Sequence, residues 1–101
     1  DLTIACYGLA FKPDIDDLRE SPASDIAKSI IEIHAGSVLL VEPHIKELPE
    51  ELNGGLLSNM SSALSAADLH VMLVDHDIFK SVQPMIGKII DTKGIWKPLT
   101  F

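Results

Sequence analysis

Cysteine occurs once, at Cys6, which excludes an internal disulfide and any multi-cysteine zinc or iron–sulfur site and makes a reducing compartment the simplest setting. Basic residues are scarce as well. Eight Lys and Arg stand against fifteen Asp and Glu, a formal charge of −7 with no cationic cluster, so nucleic acid and anionic membrane are poor partners. Aromatic side chains are 5% of the chain although 47% of it is hydrophobic, so the core must be mainly aliphatic. No apolar run approaches the roughly eighteen residues that cross a bilayer, and the start has no basic n-region before a long apolar stretch. A cytoplasmic protein is expected. At 101 residues there is room for one ordinary domain, which can bury roughly two thirds of its unfolded surface without metal or disulfide support. The chain starts at Asp1 and enters an apolar segment at once, as expected of a piece of a longer polypeptide.

Leu2 to Tyr7 is too short for a helix and apolar on both faces, which predicts a strand covered on each side. Residues 9–20 hold Pro13 and the carboxylates Asp14, Asp16, Asp17 and Glu20 without helical or alternating period, so they form a long loop. Ser21 is then a hydroxyl N-cap and Pro22 a first helical residue. Ala23, Ile26, Ala27, Ile30 and Ile31 mark one buried helical face, and Gly36 takes the C′ position. Val38 to Val41 is a second strand stopped by Pro43. Leu56-Leu57 reads as a minimal edge strand, Ser61 or Ser62 as the cap of a short helix reaching Ala67, and His70 to Val74 as a strand. Asp77 is expected to cap a helix carrying Ile78, Phe79 and Val82 that ends at Pro84. Lys88 to Asp91 is the last strand, and a tail runs from Gly94 to Phe101.

Strand and helix alternate throughout, which predicts an α/β fold: a Rossmann-like three-layer αβα sandwich with a mostly parallel sheet of about five strands. Ligands of such sheets bind beyond the carboxyl ends of the strands. That rim collects the loop from Leu9 to Glu20, Glu42-Pro43, Asp75 to Asp77 and the residues after Asp91.

The loop holds the only arginine, Arg19, two residues before the N-cap, together with Lys12. A guanidinium fork and an ammonium on one loop could hold a diphosphate near the positive end of the helix. The same two cations could equally be neutralised by Asp14, Asp16, Asp17 and Glu20. Loop physics leaves both readings open.

The run Gly-Leu-Ala-Phe-Lys-Pro-x-x-Asp-Asp-x-Arg-Glu-Ser-Pro, from Gly8 to Pro22, resembles the signature that opens the C-terminal, nucleotide-sugar-binding domain of the UDP-glucose/GDP-mannose dehydrogenase family. The resemblance extends over essentially the whole chain. Val41-Glu42-Pro43, the stretch from Val71 to Asp77 with Phe79, and the residues from Ile90 to Trp96 are most similar to the branch acting on UDP-N-acetyl-D-mannosamine. It implies a parent enzyme that oxidises the sugar C6 hydroxyl to a carboxylate in two hydride transfers to NAD. The parent would be a homodimer or larger, with an N-terminal NAD domain and a central dimerisation region absent here. The family's catalytic Cys-Phe-x-Lys-Asp motif is missing, as is any Gly-x-Gly-x-x-Gly turn, so this domain should bind and orient substrate without catalysing. The resemblance further implies that Phe11 and Lys12 contact the UDP-sugar, that Lys93 lies near its diphosphate, and that Arg19 reaches the NAD pyrophosphate.

Other residues have quieter expected roles. Cys6 in its apolar strand reads as an inert core thiol, and His34, His44 and His70 as structural residues without metal-ligand spacing. His76 could touch a ligand but fits a capping turn. Glu42 suggests a ribose-holding acid, an analogy weakened by the missing glycine turn. Trp96 is expected to pack the tail on the sheet. The rival readings are the same domain from a dehydrogenase for UDP-glucose or another UDP-sugar, a flavodoxin-like regulatory domain binding magnesium at Asp14, Asp16 and Asp17, and a purely structural oligomerisation module.

Overall fold

A computed structural model of the chain describes residues 1–14 and 17–96. Strand β1 (Ile4–Tyr7) leads through the long loop to helix α1 (Pro22–Ile33) and then to β2 (Val38–Val41). A single 3₁₀ turn at Glu50–Leu52 precedes β3 (Leu56–Leu57), and α2 (Met60–Ala66), β4 (Leu69–Met72), α3 (Asp77–Lys80) and β5 (Lys88–Asp91) follow. Every strand pair is parallel, and the sheet order is β3-β2-β1-β4-β5. The chain thus runs outward from β1 to one edge and returns to place β4 on the other side of β1. The crevice between the carboxyl ends of β1 and β4 is the topological switch point, where open α/β sheets hold their ligands.

Strand alternation sorts the core into two layers. Cys6, Val38, Leu40 and Val71 face α1 and pack on Ala23 and Ala27, whereas Ala5, Tyr7, Val41 and Met72 meet Ala63, Ala67, Phe79 and Trp96 on the opposite face. This is the expected three-layer arrangement. Ser21 caps α1 through its side-chain oxygen, which accepts the Ser24 N–H at 3.2 Å, and Pro22 occupies the first turn. The buried stripe of α1 is narrower than its spacing suggests. Ala23 and Ala27 are buried and Ile30 and Ile31 partly so, but Ile26 is 45% exposed because the small alanines bring that line of the helix closest to the sheet.

Four local expectations are corrected. Helix α1 ends on an extended His34, so Gly36 is no left-handed cap; it is required by crowding, since a Cβ there would lie 2.4 Å from the Leu2 carbonyl oxygen. Asn59, rather than Ser61 or Ser62, caps α2, its Oδ1 accepting the Ser62 N–H at 2.8 Å. Strand β4 stops at Met72: the Leu73 amide makes the last ladder bond to the Tyr7 carbonyl at 2.9 Å, and the Val74 amide turns onto that same carbonyl at 3.2 Å. Helix α3 is a single turn that begins at Asp77 and leaves Val82 outside, with His76 in the capping position.

Cys6 is fully buried, and burial pushes its thiol up to about 12, which makes it an inert core residue. His70 is buried between the Tyr7 hydroxyl (2.7 Å to Nδ1) and the Ile86 carbonyl (2.8 Å to Nε2), and His34 Nε2 lies 2.6 Å from the Leu2 carbonyl oxygen, so both are structural. Trp96 packs edge-on against Tyr7 at 4.8 Å and donates its indole N–H to the Phe79 carbonyl at 3.0 Å. The rest of the expected tail, 97–101, and the loop carboxylate Asp16 lie outside the described residues. No helix among the described residues is long and apolar enough to cross a membrane.

Candidate functional site

Gly8 closes β1 with φ +91°, and a Cβ there would sit 2.6 Å from Val74 Cβ. Only glycine allows the end of β1 to press this closely on the segment after β4. The loop then passes over the switch point. Its first turn is tied to α1 from below: Ser21 Oγ lies 2.7 Å from the Leu9 carbonyl and 3.1 Å from that of Ala10, and Ser24 Oγ donates to Leu9 O at 2.8 Å. Ser21 therefore serves the helix and the loop together.

The structure brings Phe11, Lys12 and Lys93 around one hollow of about 210 Å³, floored by Leu73, Val74 and Ala23 and edged by Asp75. Lys93 reaches it from the turn after β5. Asp91 builds that turn, accepting the Lys93 and Gly94 amides on Oδ1 at 2.9 and 2.8 Å and the Trp96 amide on Oδ2 at 2.7 Å. A second hollow of about 480 Å³ is lined by Phe11, Asp17, Arg19 and Glu20. Lys12 and Arg19 thus serve adjacent hollows, and Phe11, 57% exposed, is the wall between them.

Arg19 is not idle. Its Nε and Nη2 both lie 3.0 Å from the two carboxylate oxygens of Asp17, a two-pronged surface pair of the kind the neutralisation reading anticipates. The Arg19 side-chain hydrogen bond, followed by its backbone N–H, holds the Asp17 carboxyl down at about 2. In an NMR titration Asp17 is expected to ionise with a midpoint near 2, and Arg19→Ala to return it towards the ordinary aspartate value of about 3.9. An unchanged midpoint would show that the pair does not persist in solution.

Beneath the loop lies an arrangement that the sequence did not reveal. Glu42, at the end of β2, and His76, before α3, are buried and in contact, His76 Nε2 lying 2.9 Å from Glu42 Oε1. The same Oε1 accepts the Leu9 and Ala10 amides at 2.8 and 3.1 Å, and Oε2 accepts the His44 amide at 3.1 Å. His76 Nδ1 accepts the Asp14 amide at 2.7 Å, so that nitrogen carries no proton and Nε2–H is the donor to Glu42. The turn expected around His76 exists, but its side chain makes no capping bond and reaches across to β2 instead. Burial raises the Glu42 carboxyl, yet hydrogen bonds from His76, Leu9 and His44 outweigh it and leave it below the usual glutamate range. Glu42 therefore holds no ribose. In a dinucleotide-binding turn the first amides after β1 face a pyrophosphate; here those of Leu9 and Ala10 are taken by an internal carboxylate.

His44 stacks edge-on against His76 at 4.6 Å, so a histidine read as structural and without metal-ligand spacing packs against this group. Asp14, His44 and His76 have ligand atoms within 4.8 Å of one another. Of the three carboxylates of the rival magnesium reading, Asp16 lies outside the described residues, Asp17 is paired with Arg19, and Asp14 Oδ1 accepts the Asp77 amide at 2.8 Å.

Residues 5–98 match the UDP binding domain of the UDP-glucose/GDP-mannose dehydrogenase family. The chain belongs to this family. Among curated relatives, the UDP-N-acetyl-D-mannosamine dehydrogenase of Salmonella typhi is 52% identical over 96% of this chain and 24% of its own length. The NDP-N-acetyl-D-galactosaminuronic acid dehydrogenase of Ralstonia solanacearum is 50% identical over 92% of this chain and 23% of its own. A solved UDP-N-acetyl-mannosamine dehydrogenase from Staphylococcus aureus superposes with a TM-score of 0.76 at 30% identity, covering 99% of this chain and 25% of that one. The chain spans about a quarter of these dehydrogenases, so the UDP-glucose/GDP-mannose dehydrogenase family resemblance read from the Gly8–Pro22 signature holds for one domain of that family.

Proposed function

We propose that this chain is the UDP-sugar-binding domain of an NAD-dependent dehydrogenase that oxidises UDP-N-acetyl-D-mannosamine at C6 to the uronate. The supporting observation is the convergence of Phe11, Lys12 and Lys93, from loops about eighty residues apart in the chain, on one hollow at the rim of a UDP-binding-family fold. Exposed Phe11 offers a face for the nucleotide base, and the two lysines offer charge to the diphosphate. At about 210 Å³ the hollow falls short of the roughly 300 Å³ at which ligand pockets begin, so it covers part of a nucleotide sugar and the remainder falls to other domains.

NAD supplies the hydride acceptor when bound to the whole enzyme. The β1 turn of this chain does not fit its pyrophosphate, because the Leu9 and Ala10 amides are occupied and no glycine-rich turn exists. Arg19 is the residue left to meet the cofactor, reaching across from a rim that the absent N-terminal domain would share, in a parent that is a homodimer or larger. Cys6 cannot act as nucleophile, being buried with a raised pKa. The domain contributes orientation, which can be worth several kcal/mol of barrier, and a UDP-sugar enzyme of this kind works in the cytoplasm.

Calorimetric titration with UDP and NAD separately is expected to show the chain binding UDP more tightly than NAD, with no NAD reduction on adding any UDP-sugar. Tighter NAD binding, or turnover by the chain alone, would reject the reading. The second reading, another amino sugar or UDP-glucose as substrate, is favoured by the galactosaminuronic acid dehydrogenase relative at 50% identity. Comparing kcat/KM of the full-length enzyme across UDP-sugars separates the two.

A further inference from the structure

We propose that Glu42 and His76 are positioning residues for the ligand loop: a buried carboxylate–imidazole pair that fixes both ends of the segment carrying Phe11 and Lys12. This inference rests on the UDP-sugar reading and deepens it.

The geometry is specific. Glu42 Oε1 holds the loop where it leaves β1, through the Leu9 and Ala10 amides at 2.8 and 3.1 Å, and His76 Nδ1 holds it three residues beyond Phe11, through the Asp14 amide at 2.7 Å. The 2.9 Å bond between the two side chains joins these anchors into one strut that links the ends of β2 and β4. Asp14 continues the strut by accepting the Asp77 amide at 2.8 Å, and it sits at φ +62°, a conformation that needs fixed partners on both sides. Neither Glu42 nor His76 lines the hollow, so each acts on the ligand only through the loop. A backbone amide held by a buried ionic acceptor has little freedom to wander, and misplacing a binding group by about 1 Å can cost up to roughly a hundredfold in activity.

Two competing uses of this part of the molecule fail on the same geometry. A metal bound by Asp14, His44 and His76 would have to displace the Asp14 amide from His76 Nδ1 or break the Nε2 bond to Glu42, because both imidazole nitrogens are already engaged. A purely structural strut would not be aimed at the two ends of the segment that carries the ligand-facing residues.

The test is a double-mutant cycle in the full-length dehydrogenase that carries this chain, with KM for UDP-N-acetyl-D-mannosamine, KM for NAD and kcat as readouts. His76→Phe keeps the aromatic volume beside His44 and Phe79 but removes both polar atoms. It is expected to raise KM for the UDP-sugar about tenfold while KM for NAD stays within about twofold. Lys12→Ala is expected to raise the same KM by a similar or larger factor. Because a side chain that has been removed cannot be misplaced, His76→Phe should change KM less than about threefold in the Lys12→Ala background. An unchanged KM in His76→Phe, equal rises in both KM values, or a double variant showing the full product of the single effects would overturn the positioning role. An inert Lys12→Ala would instead overturn the UDP-sugar reading itself. Should His76→Phe not fold, Glu42→Asp, which keeps the buried charge but shortens its reach by one methylene, enters the same cycle under the same criteria.

Discussion

Replacing Glu42 by alanine is expected to lower the melting temperature of this domain by about 15–30 °C. The carboxylate is buried and accepts four N–H groups: the Leu9, Ala10 and His44 amides and His76 Nε2–H. Alanine cannot replace any of these acceptors. Each buried donor left unpaired costs about 1–3 kcal/mol, and relaxation of the loop relieves part of the sum, so a loss of about 4 kcal/mol is expected. In a domain of this size, 1 kcal/mol corresponds to roughly 4–8 °C. The effect has a definite pH dependence. Burial alone would raise the Glu42 carboxyl, but its N–H donors hold it below the ordinary value of about 4.3, so the stabilisation is fully present above that value. It is lost as pH falls through the lower folded pKa. Urea unfolding of wild type and Glu42→Ala at neutral and strongly acid pH should therefore show a wide gap that narrows in acid. A gap that is small at neutral pH, or that widens in acid, would contradict the hydrogen-bonding assigned to Glu42.

The second large effect separates substrate from cofactor. In the full-length enzyme, Lys12→Ala is expected to raise KM for the UDP-sugar about 10–100-fold with little change for NAD, and Arg19→Ala to do the reverse. Lys12 edges the smaller hollow with Phe11 and Lys93, whereas Arg19 edges the larger one beyond Phe11, so a single ligand group is not shared between them. For Arg19 to meet the cofactor as proposed it would exchange its Asp17 partner, and because that pair is exposed to water the exchange would cost little. Steady-state kinetics with each ligand varied in turn decides the matter: equal effects of both substitutions on both constants would refute the division of roles.

The features legible from sequence were those governed by neighbours along the chain. Ser21-Pro22 announces a helix start because a hydroxyl acceptor and a missing N–H each satisfy the first turn locally. Strands β1 and β2 are visible because both of their faces are covered. The strand-end rule already puts the residues after Asp91 on the same rim as the loop, whereas singling out Lys93 beside Phe11 and Lys12 rests on family resemblance. Where the outcome depended on distant partners, local reading failed. Strand β4 is shortened where the Val74 amide turns onto the Tyr7 carbonyl that already takes the last ladder bond from Leu73, and Gly36 answers to the Leu2 carbonyl rather than to its own helix. The Glu42–His76 contact spans 34 positions and two strand ends, and both residues had adequate local explanations, as a strand-end acid and a turn residue.

The internal carboxylate beneath the loop also bears on how this domain meets its solution environment. A phosphate-binding turn with open amides gathers sulfate or phosphate from buffer and is shaped by whichever anion arrives. Here Glu42 occupies the Leu9 and Ala10 amides permanently, so inorganic anions have no vacancy to compete for there, and the segment bearing Phe11 and Lys12 is shaped before any nucleotide is present. At that turn no backbone amide of Leu9 or Ala10 is left to greet an anion.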